Sequence, residues 1–269
     1  MAGTALRRGA PRPSALAGRW YPGDARALGQ SVRDYVADAG EREVGGVVRA
    51  VIAPHAGHVY SGPIAGVAFA ALAEGPRFRR VVLVGPAHRV AFQGISAGDF
   101  ARYELPTGEV TVDREAIAAL EAAGLVGCVP EAHAEEHCLE IELPFVLETL
   151  GDVPIVPLLV GRATGEQVAR ALAATLRDDD LLLVSSDLSH YQPYDEARAQ
   201  DLTTLAAIAA GRGEELDGHD ACGYRGIQGA LQVARSRGWR PEVLDYRSSG
   251  DTAGDKRAVV GYGAVAIVA

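Results

Sequence analysis

Residues 51–62 read VIAPHAGHVYSG, and in this stretch an apolar run ends abruptly in a turn that carries two histidines. The first three residues have the composition of a buried strand, and Pro54 ends it because proline cannot donate to the hydrogen-bond ladder of a sheet. The small residues that follow bury little surface. His55 and His58 can therefore be metal ligands, proton-transfer groups or merely polar loop residues, and the stretch alone leaves these alternatives open.

Further apolar runs of the same kind follow along the chain, and they are continuous rather than alternating. The runs are 47–54, 80–86, 153–161, 180–187 and 261–269. Continuous runs are typical of strands that are buried on both faces of a parallel or mixed sheet. Patterns of helical period lie between them, at 63–74, 113–123, 135–150, 164–177, 195–210 and 225–237. This alternation predicts an α/β fold, a single three-layer α/β/α domain with a mixed, largely parallel sheet.

The remaining segments complete the expected organisation. Residues 1–13 contain arginine and proline without any period, so we expect a flexible tail there and a single domain over 14–269. Asp24 is a suitable N-cap for a helix that Gly40 ends. The short alternating pieces between 93 and 112 predict a hairpin-like insertion.

Composition excludes several classes of protein. The 269 residues carry a net charge of −9, which argues against nucleic acid as a partner because phosphate contacts need clustered Lys and Arg. No apolar stretch approaches the roughly 20 residues of a membrane span, and we expect no membrane partner. The first residues lack the apolar core of a secretory signal. Three cysteines without a Cys-x-x-Cys pair predict a reducing, cytoplasmic compartment.

Three of the apolar runs end in a similar way, each with a histidine one to four residues beyond the strand. They are AVIAP before His55, VVLVGPA before His88 and LLLVSSDLS before His190. In open α/β sheets, ligands bind beyond the carboxyl ends of the strands. Any one of these histidines alone would be an ordinary loop residue. Together, and with Asp187 three residues before His190, they predict a functional site.

A cysteine adds a second signal, in the stretch DGHDACGYRGIQGAL (217–231). Cys222 lies just before a helix that we expect to start near Tyr224, and the dipole of a helix favours a thiolate at its N-terminus. A thiolate is a strong ligand for Zn, Fe or Cu. The alternative is a small buried core residue, which is a common place for a free cysteine.

A third signal is HAEEHCLEIELPFVLETL (133–150). On a helix, His133 and His137 would present two imidazoles to one metal, but the zinc-protease motif needs Glu after the first histidine and Ala134 is there instead. We therefore exclude a zinc protease. His137 and Glu140 would share a helical face and could line a pocket or orient a ligand. The alternative for the carboxylates of this segment is a solvated, acidic first helical turn.

Taken together, these motifs resemble the MEMO family, whose prokaryotic members are called AmmeMemoRadiSam system protein B. The resemblance covers nearly the whole chain. It rests on IAPHAG (52–57), YSG (60–62), VGPAH (84–88), EEHCLEIELPF (135–145), PLLVG (157–161), SSDLSH (185–190) and ACG (221–223). The family is related in fold to the catalytic subunits of class III extradiol dioxygenases, which are non-haem iron enzymes.

The resemblance implies a site for one metal ion held by His55, His88 and Cys222, with His190 as the acid/base group and Asp187 beside it. The cysteine stands where the dioxygenases have a carboxylate. Two histidines and a carboxylate suit Fe(II), whereas a thiolate is softer and also accepts Cu or Zn. We therefore expect iron first, with copper or zinc as alternatives.

Two further residues are assigned to the pocket or its surroundings by the same resemblance, His137 and His58. His58 stands where the family usually has tyrosine, so it could line the pocket or add another nitrogen to the metal. Three functions remain open at this point. They are redox or oxygenase-like chemistry on a small molecule, a non-catalytic role as a partner- or peptide-binding protein associated with a radical SAM protein and an AMMECR-type protein, and a zinc hydrolase.

Overall fold

A mixed sheet with helices on both faces forms the centre of the computed structural model, which describes residues 7–41, 43–73 and 75–269. The strands are β1 (Val48–Ala53), β2 (Arg80–Pro86), β3 (Ile95–Ala97), β4 (Arg102–Leu105), β5 (Gly108–Thr111), β6 (Ile155–Val160), β7 (Asp180–Ser185), β8 (His190–Gln192), β9 (Arg240–Ser248) and β10 (Val259–Val268). The helices are α1 (Ala25–Asp38), α2 (His58–Ala70), α3 (Arg114–Ala122), α4 (Pro130–Ala134), α5 (Leu143–Leu150), α6 (Gly165–Thr175), α7 (Tyr194–Ala209), α8 (Tyr224–Arg237) and α9 (Ser249–Thr252).

Four parallel strands form the middle of the main sheet. Its order is β3-β6-β2-β7-β1-β10-β8, with β9 also paired to β10, and β6, β2, β7 and β1 run parallel to one another. Leu183 of β7 lies opposite Leu83 on one side and Val51 on the other. The strands β3, β8, β9 and β10 are antiparallel to their neighbours. The middle strands are almost entirely buried, as the continuous apolar runs predict.

Helices cover both faces of this sheet. One face is covered by α3, α6 and α8, and the other by α1, α2 and α5, while α7 packs on β9 and β10. The expected α/β class and its three layers are therefore confirmed. In the described part of the chain, no helix combines the length and the apolar character that crossing a membrane would require.

The N-terminal segment differs from the expected flexible tail. Residues 1–6 lie outside the described residues, but Arg12 is 1% exposed. Its guanidinium donates to the Glu140 carboxylate at 2.5 Å and to the carbonyl oxygens of His133 and Glu136 at 2.8 and 2.9 Å. A buried guanidinium must have acceptors for its N–H groups, and here they lie on α4 and on the segment that follows it. The expectation of a loose tail is wrong for this residue.

The expected helix over 135–150 is also wrong in its first half. The structure has α4 up to Ala134, a non-helical stretch, a 3₁₀ turn at Glu140–Glu142 and then α5 from Leu143. Pro144 lies in the first turn of α5, where its missing N–H is tolerated, whereas inside a continuous helix its ring would clash with the carbonyl of residue 140. His137 and Glu140 therefore do not share a helical face.

Other local expectations hold. The Asp24 side chain caps α1 by accepting a hydrogen bond of 2.9 Å from the backbone N–H of Ala27. The insertion between 93 and 112 contains the hairpin of β4 and β5. The strand β9 was not expected, because it lies at an edge and its residues are mostly half-buried or exposed, without a continuous apolar run.

Candidate metal centre

Three neighbouring strands of the parallel block end at the same edge of the sheet, and each is followed by a side chain of the predicted site. His88 lies two residues beyond β2, Asp187 two residues beyond β7, and His55 two residues beyond β1. Since β7 lies between β2 and β1, the three strand ends are adjacent. With His190 at the start of β8, these residues line a cleft of about 630 Å³.

His55 lies at the bottom of this site and is 1% exposed. Its backbone N–H donates to Asp187 Oδ1 at 2.7 Å, and its ring Nδ1 lies 2.9 Å from Ser185 Oγ. On the other side of the ring, Nε2 lies 3.2 Å from Cys222 Sγ. Burial first, and then the neighbouring His137 and His88, keep the pKa of His55 well below its ordinary value, so the ring is neutral.

Cys222 is brought to His55 by a tight turn against the end of β7. Its backbone N–H donates to Asp187 O at 3.3 Å, and the N–H of Gly223 donates to Ser186 Oγ at 2.9 Å. Only glycine fits at position 223, since a Cβ there would lie 2.6 Å from Ser186 Cβ. Helix α8 begins at Tyr224, as expected.

The expected thiolate does not arise from the helix dipole. Burial, and after it the nearby Asp187, raise the pKa of Cys222 to about 12, so the thiol is neutral at pH 7. Its proton can then be donated to the free Nε2 of His55. A metal that binds here would have to replace this proton, as is usual for cysteine ligands.

The two histidines and the cysteine have a geometry that fits one metal ion. Donor atoms of His55, His88 and Cys222 all lie within 4.8 Å of one another. The 3.2 Å between His55 Nε2 and Cys222 Sγ falls in the range of about 3.1–3.6 Å that metal–nitrogen and metal–sulfur bonds of roughly 2.1 and 2.3 Å require. The Nδ1 atoms of both rings are engaged by hydrogen bonds, which leaves both Nε2 atoms for a metal.

His88 is oriented by Glu136, a residue that sequence reasoning missed. This carboxylate is 2% exposed and accepts from the His88 backbone N–H at 2.7 Å, from His88 Nδ1 at 3.0 Å and from the His137 backbone N–H at 3.0 Å. Burial alone would raise the pKa of Glu136, but the hydrogen bonds from His137 and His88 lower it far below its ordinary value. The alternative of a solvated first turn is therefore wrong for Glu136, which holds the candidate ligand His88 in place.

A second set of donor atoms, from His88, Glu136 and Cys138, also lies within 4.8 Å. In this set, the His88 Nδ1–H and the Glu136 carboxylate already satisfy each other, and the Cys138 thiol donates to Pro86 O at 3.1 Å. Burial raises the pKa of Cys138 well above its ordinary value. We therefore assign this set to the support of the site rather than to a second metal.

His137 lines the cleft, in the place that the resemblance implied. Its ring centroid lies 4.5 Å from that of His88, 5.3 Å from that of His55 and 4.6 Å from that of Trp20. Its Nδ1 is 3.0 Å from Glu136 Oε1, although the contact is not aligned as a hydrogen bond. His137 thus packs the two proposed ligand rings against the cleft wall.

His190 and Asp187 supply groups that can exchange protons at the cleft. His190 is exposed, and its Nδ1–H donates to Leu188 O at 2.8 Å, so the lone pair of its Nε2 is free. Burial raises the pKa of Asp187. Tyr191 has φ = 61°, a left-handed conformation that is uncommon outside glycine and that often accompanies functional sites.

Two residues that we expected to line the pocket, His58 and Glu140, lie elsewhere. The His58 ring is 2% exposed and packs between Tyr21 and Phe145, and its Nε2–H donates to Ile141 O at 3.1 Å. It begins α2 rather than standing on a loop, and its side chain points into the core. Glu140 is fully buried, where it accepts from the Tyr21 hydroxyl at 2.6 Å and from Arg12. It holds the N-terminal segment.

Fold and site together define an α/β protein with a candidate metal centre of two histidines and one cysteine at the edge of its sheet. The chain belongs to the MEMO family, since the family of Memo-like proteins matches residues 12–266. A MEMO1 family protein of Aeropyrum pernix is 40% identical over 233 residues, which cover 81% of this chain and 83% of that protein. A MEMO1 family protein of Ignicoccus hospitalis is 36% identical, with 94% of this chain and 97% of that protein covered.

A solved structure shows the same fold at low sequence identity. The crystal structure of an uncharacterized protein from Escherichia coli K12 matches with a TM-score of 0.52 and 13% identity, and the match covers 82% of this chain and all of that one. At this identity the likeness concerns the fold alone. It supports the α/β architecture and carries no information about chemistry.

Proposed function

We propose that this protein binds one metal ion through His55, His88 and Cys222 and carries out redox or oxygenase-like chemistry on a small molecule. The observation that supports this most directly is the meeting of the three donor atoms within 4.8 Å at the carboxyl edge of the sheet. Both imidazoles have their Nδ1 engaged by other groups, so their Nε2 atoms are the ones presented to a ligand.

Iron is the metal that we propose first. Copper and zinc are alternatives, because a donor set with one thiolate is softer than the two-histidine, one-carboxylate set of non-haem iron enzymes. A bound transition metal would supply electron transfer or Lewis acidity to a substrate beside it. The protein supplies the rest. The cleft of about 630 Å³ is large enough for a small molecule.

Proton transfer is assigned to His190, with Asp187 beside it. The hydrogen bond from His190 Nδ1 to Leu188 O holds the ring as the tautomer whose Nε2 can accept a proton from a substrate in the cleft. Asp187 accepts a hydrogen bond from the backbone N–H of His55 and so fixes the main chain of this proposed ligand. His137 and Trp20 also line the cleft, where their rings offer faces on which a bound molecule would stack.

The direct test is metal content after anaerobic purification and reconstitution with Fe(II), Cu(I) or Zn(II) in turn. We expect one equivalent of metal in the natural protein and loss of it in Cys222→Ser. Cys128→Ser is a matched control, since Cys128 is also a free cysteine but is not in the donor set. No stoichiometric metal, or full retention in Cys222→Ser, would contradict the proposal. Activity with Zn(II) but not Fe(II) would instead support a zinc hydrolase.

A second candidate function, the binding of a partner over the cleft, is favoured by apolar side chains exposed at its mouth. Val59 is 66% exposed, Tyr60 43% and Tyr191 77%, and all three line the cleft. We propose a radical SAM protein or an AMMECR-type protein as the partner, in the cytoplasm, where free cysteines stay reduced. Size-exclusion chromatography of the mixed purified proteins tests this. A complex that Tyr191→Ser weakens supports it, and no complex contradicts it.

A further inference from the structure

The hydroxyl of Ser185 has more hydrogen-bond partners than it has protons. Ser185 lies at the end of β7, is fully buried, and has its Oγ 2.6 Å from Cys138 O, 2.9 Å from His55 Nδ1 and 2.9 Å from Glu142 Oε1. A serine hydroxyl donates one hydrogen and accepts with its two lone pairs. Each of the three contacts therefore needs its own proton, and only one of these can come from Ser185.

The carbonyl of Cys138 decides where that proton goes. A carbonyl oxygen can only accept, so its contact with Ser185 at 2.6 Å requires the serine hydrogen. The two lone pairs of Oγ then face His55 Nδ1 and Glu142 Oε1, and both of these atoms must donate. His55 is therefore the tautomer with hydrogen on Nδ1, and Glu142 is a protonated carboxylic acid.

The surroundings of Glu142 agree with a neutral acid. Its side chain is 1% exposed, and its Oε2 has no hydrogen-bond partner among the described residues. An ionised carboxylate would leave that oxygen charged and unpaired in the core, which is strongly unfavourable. Burial raises the pKa of Glu142 well above its ordinary value.

We propose that Glu142 is a positioning residue of the metal centre, a neutral acid that donates to Ser185 and thereby presents His55 Nε2 to the metal. Donation by Glu142 occupies one lone pair of Ser185 and leaves the serine hydrogen for Cys138 O. The other lone pair then accepts the hydrogen of His55 Nδ1. An ionised Glu142 would compete for the serine hydrogen instead, and the hydrogen-bond chain that orients His55 would be lost. The role of this chain in metal binding rests on the proposed function.

The experiment compares Glu142→Gln with Glu142→Leu and Ser185→Ala. The amide of Gln can still donate to Ser185, Leu leaves one lone pair of Ser185 unpaired in the core, and Ala removes the hydroxyl that accepts from His55. In metal-free protein, infrared spectroscopy should show the carbonyl band of a protonated carboxyl group that disappears in Glu142→Gln. Nitrogen NMR of the histidine rings should show His55 protonated on Nδ1 in the natural protein and in Glu142→Gln, but not as a single tautomer in Ser185→Ala, which lacks the acceptor.

Metal affinity is the second readout. We expect Glu142→Gln to restore nearly the natural affinity, and Glu142→Leu and Ser185→Ala to lower it about 10–100-fold, the usual effect of removing a group that orients a ligand. Thermal melts identify any variant that does not fold. If Glu142→Leu or Ser185→Ala does not fold, the infrared comparison of the natural protein with the isosteric Glu142→Gln still tests the proposal.

Several outcomes would overturn the proposal. They are the absence of the carboxyl band in the natural protein, a change of the His55 tautomer in Glu142→Gln, or an affinity in Glu142→Leu that equals that of the Gln variant. If the natural protein binds no metal, the proposed function fails and so does the role in metal binding. The infrared and NMR results then still report separately whether Glu142 orients His55.

Discussion

Glu136 and Glu142 lie six residues apart on one segment and are both buried, yet the first carboxyl group is ionised and the second is neutral. Glu136 accepts four hydrogen bonds of 2.7–3.3 Å from N–H groups of His88, Arg89 and His137 and is ionised. Among the described residues, Glu142 has a single hydrogen-bond partner, Ser185, whose own hydrogen is donated to Cys138 O. The number of N–H groups that point at a buried carboxyl group therefore decides its charge.

The comparison extends to Glu140, which lies between them. It is fully buried and receives hydrogen bonds from Arg12, Ser14 and Tyr21, and like Glu136 it is ionised, with a lowered pKa that burial opposes and Arg12 causes. Only the two outer glutamates reach the proposed ligands, one through His88 and the other through Ser185 to His55. The ionised Glu136 accepts a hydrogen bond directly from His88, whereas the neutral Glu142 donates to Ser185, which accepts from His55.

The largest expected effect comes from removing the charge that keeps Glu140 ionised. Arg12→Met would leave a buried carboxylate without its cation, and we expect the free energy of unfolding to fall by about 3–5 kcal/mol. Denaturant titration measures this change. The double variant Arg12→Met with Glu140→Gln should recover part of the loss, and a double variant as unstable as the single one would contradict this account of the charge.

The next effect concerns Glu136, and it is the counterpart of the test on Glu142. In Glu136→Gln the amide N–H₂ would face N–H donors of His88 and His137, so His88 would lose its orientation. We expect metal affinity to fall about 10–100-fold, equivalent to about 1.4–2.7 kcal/mol. Competition with a chromophoric chelator measures this. Equal affinities of Glu136→Gln and Glu142→Gln would show that the two carboxyl groups do not differ in charge.

His58 is a buried, neutral histidine, and its effect on the free energy of unfolding can be measured as a function of pH. Burial lowers the pKa of His58 to about 4, so the folded state resists a proton that the unfolded chain takes up near pH 6.5. Stability should therefore fall as the pH drops from 6.5 to 4, by roughly 2 kcal/mol between pH 7 and pH 5.

His58→Phe removes this titration and leaves the other buried histidines in place. Urea titrations of both proteins at several pH values give the difference, in which the contributions of the other histidines cancel. A pH dependence that is the same in both proteins would mean that His58 does not titrate in this range.

The smallest effect is a gain in stability. The raised pKa of Glu142 means that the folded protein must hold a proton that the unfolded chain releases above its ordinary pKa. This is unfavourable at pH 7 and becomes more so as the pH rises, and glutamine has no such requirement. We expect the melting temperature of Glu142→Gln to exceed that of the natural protein by a margin that increases from pH 5 to pH 8. A constant or negative margin would argue for an ionised Glu142.

Much of the fold follows from local patterns. The four parallel strands are continuous apolar runs, and the caps of α1 and the position of α8 follow from Asp24 and from the turn at Cys222. The missed strand β9 lacks such a run. The helix expected over 135–150 is interrupted for two reasons. Pro144 is tolerated in the first turn of α5 but would break a helix that continued through it, and Glu140 points inward to Arg12.

The strand-end histidines of the candidate site could be predicted from the sequence, but the residues that support them could not. His55, His88 and His190 each follow the end of an apolar run, and this pattern can be read directly from the sequence. The roles of Ser185, Glu136 and Glu142 depend on contacts over 43–130 residues of sequence and have no motif of their own. His58 looked equivalent to His55 because both follow the same strand, but the start of α2 directs it into the core.

The sequence by itself determined the α/β class, the family and the positions of the histidines, since strand runs and their ends are set by local composition. The tertiary structure decided in which direction the pKa of Glu136, Glu142 and Cys222 is shifted, and which ring nitrogens of His55 and His88 are left for a ligand. These properties depend on burial and on hydrogen-bond donors supplied by distant segments. No local pattern specifies them, because a buried glutamate is ionised where four N–H groups surround it and neutral where only a hydroxyl does.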